Sequence, residues 1–415
     1  MSTPGPDLVE LVVGPPAHGG HCVARSADGP VVFVRHTLPG ERVRARVTQA
    51  RRQFWRADAV EVLEASPDRV PSVWPEAGPG GVGGGELAHV ALDAQRRWKT
   101  TVLREALTRI GHLDLDGLEG EVAVEGLPGD DEAGGLGTRT RIELVVDADG
   151  TAGMFRHRSH DVVPLSSMPL AVPAIAELGL FAPGRWSHLR PGTRLDVVAP
   201  SVGAPLVLVD GEPEASGRGP ARGSVREVVP TAFGDLTYRV RASGFWQVHR
   251  RAAPVLVDAV LGALRPTPGE RLLDLYSGAG LFTLPLVTAV GESGRVDAVE
   301  SEPRAVTDAR RNLHAHAGAA LHEARVDPAS LVALGGDPVD GVVLDPPRAG
   351  AGPAVMDALA DLAPQRVVYV ACDPAALARD LQVATARGYR LRTVRGLDLF
   401  PHTHHVEAVA LLERA

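Results

Sequence analysis

Over residues 8–66 apolar and polar positions alternate in short bursts: VELVV, CVARS, PVVFVRH, ERVRARVTQARR and WRADAVEVLEA. Gly19-Gly20, Asp28-Gly29 and Pro39-Gly40 punctuate them. Period-two runs this short, with turn residues between them, predict a small β-barrel. A glycine-rich segment, Gly78 to Gly85, follows and needs a partner to hold its shape. From Leu92 to Ile110 the period changes to that of a helix, with Val102, Leu103, Ala106, Leu107 and Ile110 on one face and Gly111 as the stop. Residues 112–240 mix strand-like runs (Thr140 to Asp147, Arg194 to Val198) with Gly/Pro loops and carry no chemistry that stands alone. From about residue 241 apolar runs of strand length alternate with helical patterns. RLLDLYS (271–277), RVDAVES (295–301), GVVLDPP (341–347) and RVVYVACDP (366–374) each lead into a helix, and the chain closes with YRLRTVRGLDLF and HHVEAVALLER. Apolar strands separated by helices predict an α/β, doubly wound parallel sheet covered on both faces.

Composition narrows this picture. The 415 residues, 44% of them apolar, suffice for two or three domains of roughly 100–200 residues each. A charged fraction of 23% excludes wholesale disorder. The strongest apolar run, Leu281 to Val290, is interrupted by Thr283, Pro285 and Thr288, so no membrane span is expected. Met1 to Glu10 lacks the basic start and apolar centre of a secretory signal, and a cytoplasmic enzyme is expected. Two cysteines, Cys22 and Cys372, exclude a disulfide framework and an all-cysteine metal site. Of 43 basic residues one is lysine, Lys99, a bias attributed to a GC-rich genome. The net charge of −8 argues against nucleic-acid binding only as a total. Locally, Arg35 to Arg56 holds seven arginines against one acid, Glu41, and Arg42, Arg44 and Arg46 share one strand face. Such a face is either plain solvated surface or a hold on a phosphate backbone.

In a doubly wound sheet ligands sit beyond the carboxyl ends of the strands. Asp274-Leu-Tyr-Ser-Gly-Ala-Gly280 closes the first strand there, and Gly278 and Gly280 allow the backbone close to a ligand. The dinucleotide fingerprint wants a third glycine where Thr283 stands, and an acid at the strand end suits a cation better than a pyrophosphate. Glu300 ends the second strand, where a carboxylate can take both ribose hydroxyls. Together these fit S-adenosylmethionine; the alternative is a ligand-free sheet in which Asp274 caps the next helix. Asp345-Pro-Pro-Arg348 ends a later strand with a stiff wall. Cys372 closes the strand after it, with Asp373-Pro374 opening a helix whose N-terminus is expected to lower the thiol's pKa. Core filler is the alternative for Cys372 and the reading kept for Cys22. In Phe400-Pro-His-Thr-His-His-Val-Glu407 an extended chain would put Thr403, His405 and Glu407 on one face, with Glu407 as a base; a metal site is not expected from these histidines. A thiolate, a carboxylate and a methyl sulfonium suit methylation at carbon 5 of a pyrimidine: the thiolate adds to carbon 6, carbon 5 takes the methyl group, and the base removes the carbon-5 proton.

FWQVH (245–249), DLYSGAG (274–280), LDPPRAG (344–350), YVACDPAALARDL (369–381) and FPHTHHVE (400–407) resemble the RNA 5-methyluridine methyltransferase family, and residues 16–43 are similar to its TRAM barrel. The resemblance implies a Rossmann-like class I methyltransferase domain at 241–415, a TRAM RNA-binding barrel at 1–66 with an OB-like fold, and a central α/β region at 67–240, with helix 91–111 a candidate to pack on the catalytic domain. It implies Cys372 as nucleophile and Glu407 as proton acceptor. Gln247, Tyr276, Glu300 and Asp345, with Asp327 near the adenine, would join Gly278 and Gly280 at the cofactor. Many members bind an iron–sulfur cluster, but the matching positions here are Trp74, Val82, Gly85 and Met168, none a thiol, so no cluster is expected. Leu281, His249 and Ser277 also depart from the family pattern, which bears on cofactor binding. The chain lacks the extra cysteine of 5-methylcytosine enzymes and the aromatic residue of an amino-group methyltransferase loop, which favours uracil. The expected partner is structured RNA, ribosomal or transfer, handled by a monomer. The rivals are a non-catalytic RNA-binding or folding factor that retains the pocket, and a small-molecule methyltransferase.

Overall fold

The computed structural model describes residues 7–25, 29–214 and 223–415. Ser26 and Asp28, part of the expected second strand and turn, and the first six residues lie outside them. Strands Leu8–Ala17, His21–Arg25, Val31–Arg35, Arg42–Ala50 and Phe54–Glu64 close into a barrel, the third lying parallel beside the fifth. Alternate residues fill it: Leu11 and Val13, Cys22 and Ala24, Val32 and Val34, Val43 and Ala45, Ala57 and Ala59. The outer arginine face decides between its two readings. Arg42 pairs with Glu10 and Glu64, and Arg44 with Glu61, acids that the neighbouring strands place directly across. Two of the three alternating arginines are thereby neutralised, which favours plain solvated surface over a hold on a phosphate backbone for this face.

Next comes a six-stranded, wholly antiparallel sheet in the order Glu212–Pro213, Leu206–Val209, Arg194–Val198, Arg141–Val146, Ala152–Phe155, Val162–Pro164. Leu144, Val146, Leu195 and Val197 face a core shared with Trp74, Ile175 and Trp186. The glycine-rich segment finds its partner here: the His157 N–H donates to Gly81 O at 3.1 Å, and Arg139 Nη2 to Gly84 O at 2.9 Å.

The third sheet has eight strands in the order Ala319–Glu323, Arg295–Glu300, Arg271–Leu275, Gly341–Leu344, Arg366–Ala371, Glu407–Arg414, Tyr389–Leu397, Val124–Glu125. The first five are parallel. Successive residues of one strand feed opposite cores: Leu272 meets helices Ala252–Leu264, Thr283–Val290 and Pro303–Leu313, while Leu273 and Leu275 meet Pro328–Leu334, Pro353–Leu362 and Pro374–Ala386. Strand Glu407–Arg414 runs antiparallel to both neighbours. Residues 398–406 are too few for the crossover of about a dozen residues that a parallel connection needs.

Segments before residue 241 complete this sheet. Helix Leu92–Glu105 and the π-helical turn Ala106–Ile110 insert Leu103, Ala106 and Leu107 into one core, and Val124 extends the sheet edge. Ile110 leaves the apolar face and is exposed, because the wider last turn rotates it away from the preceding residues. The hairpin Ser224–Thr231/Gly234–Arg241 covers the opposite core with Val225, Val229, Tyr238 and Val240.

Candidate active site

A cavity of about 990 Å³ opens at the carboxyl ends of the parallel strands. Each wall comes from the residues that follow a strand: Tyr276 and Gly278 after the first, Glu300 after the second, Arg325 and Val326 after the third, Asp345 to Arg348 after the fourth and Cys372 after the fifth. Gln247 closes it from before the sheet, and Phe400, His405 and Glu407 from its end.

Cys372, Asp345 and Glu407 meet in this space. Cys372 is half-buried, and Asp373 beside it caps helix Pro374–Ala386 by accepting the Ala376 N–H at 2.8 Å. The expected lowering of the thiol's pKa does not occur. Burial, then Glu407 and Asp345, push it up to about 11; Arg348 pulls the other way but is outweighed. Burial raises Asp345 to about 7. Glu407, 6% exposed, is raised well above the carboxylate range by burial and then by Asp345. Two carboxyls and a thiol in one low-dielectric cleft cannot all ionise, so the site favours a cationic ligand beside the acids.

The glycine turn departs from ordinary strand geometry at Tyr276 (φ 64°) and Gly278 (φ 56°). A residue with a side chain in the left-handed region is uncommon, and here the twist turns Tyr276 into the cavity. Gly280 (φ 89°) does not line the cavity; its N–H donates to Ser277 O and turns the chain into the next helix. Glu300 accepts the Gly278 N–H at 3.0 Å on Oε2 and the Ser301 and Glu302 N–H groups on Oε1, which fixes the carboxylate at the rim with lone pairs to spare. Asp274 is fully buried beneath the turn, bonded through Oδ2 to the Thr283 hydroxyl, and its Oδ1 has no partner. Asp327 is not at the cavity. It caps helix Pro328–Leu334 in a reciprocal arrangement with Ser330, while its neighbours Arg325 and Val326 take the wall. The rule that ligands sit after the strands would have found those two had the strand Ala319–Glu323 been recognised. Of the three departures from the family pattern, Leu281 lines the cavity, His249 is buried elsewhere with Nε2 3.2 Å from Asp130, and Ser277 Oγ is buried without a partner.

The segment before Glu407 is a turn, not the expected extended chain. His402 takes φ 66° and the Thr403 N–H and hydroxyl both donate to Phe400 O, so the alternation of faces fails and the strand starts only at Glu407. Glu407 and His405 nonetheless both reach the cavity. Burial, then His404 and Arg348, lower His405 to about 3, which keeps its ring neutral.

Among the described residues no three His, Cys, Asp or Glu side chains group as metal ligands. The positions matching an iron–sulfur site do not fit such a group. Trp74, Val82 and Met168 are buried in one apolar cluster, and a Cβ on Gly85 would lie 2.9 Å from the Trp74 ring.

A family model described as tRNA (uracil-5-)-methyltransferase matches residues 221–415, and the TRAM domain model matches residues 8–60. An uncharacterized RNA methyltransferase of Streptomyces avermitilis is 44% identical over 429 residues, covering 98% of each chain. The chain belongs to the RNA (uracil-5-)-methyltransferase family. It is therefore an S-adenosylmethionine-dependent RNA methyltransferase with an N-terminal TRAM barrel. The 23S rRNA (uracil(1939)-C(5))-methyltransferase of Halomonas elongata is 34% identical over 453 residues, covering 97% of this chain and 89% of that one. The fold matches that of Pyrococcus abyssi tRNA (uracil-54, C5)-methyltransferase in complex with S-adenosyl-L-homocysteine, at TM-score 0.69 and 23% identity, over 97% of this methyltransferase and all of that chain. The fixed Glu300 carboxylate with lone pairs to spare and the acidic floor of Asp345 and Glu407 fit an adenosyl sulfonium in the cavity.

Proposed function

We propose that this methyltransferase, acting as a cytoplasmic monomer, methylates carbon 5 of one uridine in structured ribosomal or transfer RNA through a covalent Cys372–carbon 6 adduct. One observation carries the reading: Cys372, Asp345 and Glu407, from separate strand ends, line a single cavity with Glu300 and with Tyr276 and Gly278 of the glycine turn. When bound, S-adenosylmethionine supplies an electrophilic methyl group. Cys372 Sγ, as the thiolate, adds to carbon 6 and loads carbon 5 with electron density; carbon 5 would take the methyl group as its bond to the sulfonium sulfur breaks and the neutral thioether leaves; Glu407 accepts the carbon-5 proton, and the Cys372–carbon 6 bond breaks to return the thiolate. Gln247, Tyr276, Gly278, Glu300 and Asp345 would hold the methyl donor, and the uridine leaves its stack to reach the thiol.

The barrel presents RNA from beside the cavity mouth. Its turn touches the catalytic loops, with His18 Nε2 3.2 Å from Asp373 and a Cβ on Gly20 only 3.3 Å from His404. Next to this turn runs a strip in which His21, Phe33 and Phe54 meet edge to face and the Arg51 and Arg56 guanidiniums lie 6.0 and 5.7 Å from the Phe54 ring. Burial, then Arg158 and Arg51, lower the Arg56 pKa, a repulsion that an RNA phosphate would relieve. Phe54→Ala is expected to weaken RNA binding by about 5- to 150-fold, the loss of one stacked base. Arg56→Ala should lower the salt slope of binding by roughly 0.7. Arg42→Ala and Arg44→Ala should leave both quantities unchanged, and filter binding across a salt series checks all four.

The reaction is tested with bulk RNA carrying tritium at carbon 5 of uridine. Tritium release should match methyl incorporation one to one. Incorporation without release would place the methyl group on another atom and overturn the proposal. Mapping 5-methyluridine in ribosomal and transfer RNA of a deletion strain identifies the target.

A further inference from the structure

Glu407 enters the cavity from a turn, and what fixes that turn lies outside the catalytic segment. Helix Leu92–Glu105 points Lys99 and Gln95 into it, and both side chains are wholly buried. Lys99 Nζ donates to Asp398 Oδ1 at 2.5 Å and to Phe400 O at 2.9 Å. Gln95 Oε1 accepts the His402 N–H at 2.7 Å, and its Nε2 donates to Val90 O and to His402 Nδ1 at 3.0 Å. With Nδ1 accepting, the His402 proton sits on Nε2, which donates to Gly134 O at 2.9 Å. The left-handed backbone of His402 is thus gripped through its own N–H, both ring nitrogens and its carbonyl, which accepts the Leu87 N–H. Lys99 is the single lysine among 43 basic residues. A compact ammonium with three donors fits between a carboxylate and a carbonyl in a space a planar guanidinium does not. Burying it is costly, so its place there needs a cause.

We propose that Lys99 and Gln95 are positioning residues that hold the turn Asp398–Thr403 so that Glu407 faces Cys372 across the cavity. This rests on the covalent mechanism above. The test uses two full-length variants. Lys99→Met combined with Asp398→Asn removes both buried charges together, and Gln95→Met removes the grip on His402 and the bond to Val90 O while leaving the Lys99–Asp398 pair in place. RNA carrying 5-fluorouridine traps the adduct after methyl transfer, since fluorine cannot leave as a proton, and so reports Cys372 without Glu407. Both variants should trap this RNA, and keep kcat/KM for ordinary RNA, within about threefold of the parent, while kcat on uridine RNA falls about 100-fold, KM falls with it and the uridine adduct accumulates. Retained kcat overturns the inference, and so does an equal fall of trapping and turnover, which marks a role in folding alone. If the double variant does not fold, Gln95→Met decides by the same criteria. A parent enzyme that traps nothing refutes the covalent mechanism itself, and this inference with it.

Discussion

Cys372→Ala lowers methyl transfer by about 10⁴-fold or more, the loss expected when a covalent nucleophile is removed and binding remains. Uracil carbon 5 is a weak nucleophile until carbon 6 carries an added group, and no other cysteine among the lining residues can replace the lost thiol. Cys22 lies in the barrel core, raised to about 11 by burial. The variant should bind RNA with unchanged affinity and melt at the parent temperature, because a half-buried side chain at a cavity wall contributes little packing. The pH profile gives a second readout. A thiol raised to about 11 is protonated at neutral pH, and the thiolate is the attacking form, so kcat/KM of the parent rises with pH from 6 to 9. Tritiated methyl incorporation measures both effects; turnover by the alanine variant within tenfold of the parent sinks the assignment.

Glu407→Gln has a different signature. Turnover falls by about 10²- to 10⁴-fold, the range for loss of a general base. The adduct still forms, since Cys372 and the methyl donor are untouched, and it persists as a covalent protein–RNA complex that survives denaturing electrophoresis. Parent enzyme under the same conditions shows little. The substitution also acts on the thiol. The Glu407 carboxylate raises the Cys372 pKa, second only to burial, so the neutral amide lowers it and adduct formation should reach half its plateau at a lower pH than in the parent. A Glu407→Gln enzyme that turns over freely, or that forms no adduct while still binding RNA, removes Glu407 from the base role.

Much of this site was legible because parallel sheets place ligands after strand ends. Tyr276, Gly278, Glu300, Asp345 and Cys372 each follow an apolar run that could be read directly, and all five line the cavity. Asp327 failed for a local reason: an acid followed by proline and then serine is also a helix start, and its carboxylate satisfies backbone donors instead of a ligand. The thiol's pKa departs from expectation because the helix N-terminus is visible in sequence while the burial of the thiol, and after it the two carboxyls facing it, are not. The arginine face leaves two readings open in sequence for the same reason, since Glu10, Glu61 and Glu64 become its partners only once the strands pair. Least legible was Lys99. Its rarity was visible and was put down to codon usage, while its contacts are some three hundred residues away in sequence.

The antiparallel insertion of Glu407–Arg414 between Arg366–Ala371 and Tyr389–Leu397 sets an order on synthesis. A nascent chain that has left the ribosome only as far as residue 397 already holds Cys372, the proposed nucleophile, yet two strands wait with a gap between them and bare edges open to other chains. The same short segment that seals those edges carries Glu407, the proposed base. Edge protection and, under the proposed mechanism, the release of RNA therefore depend on one segment: a chain truncated before residue 407 leaves two strand edges bare and lacks the proposed proton acceptor.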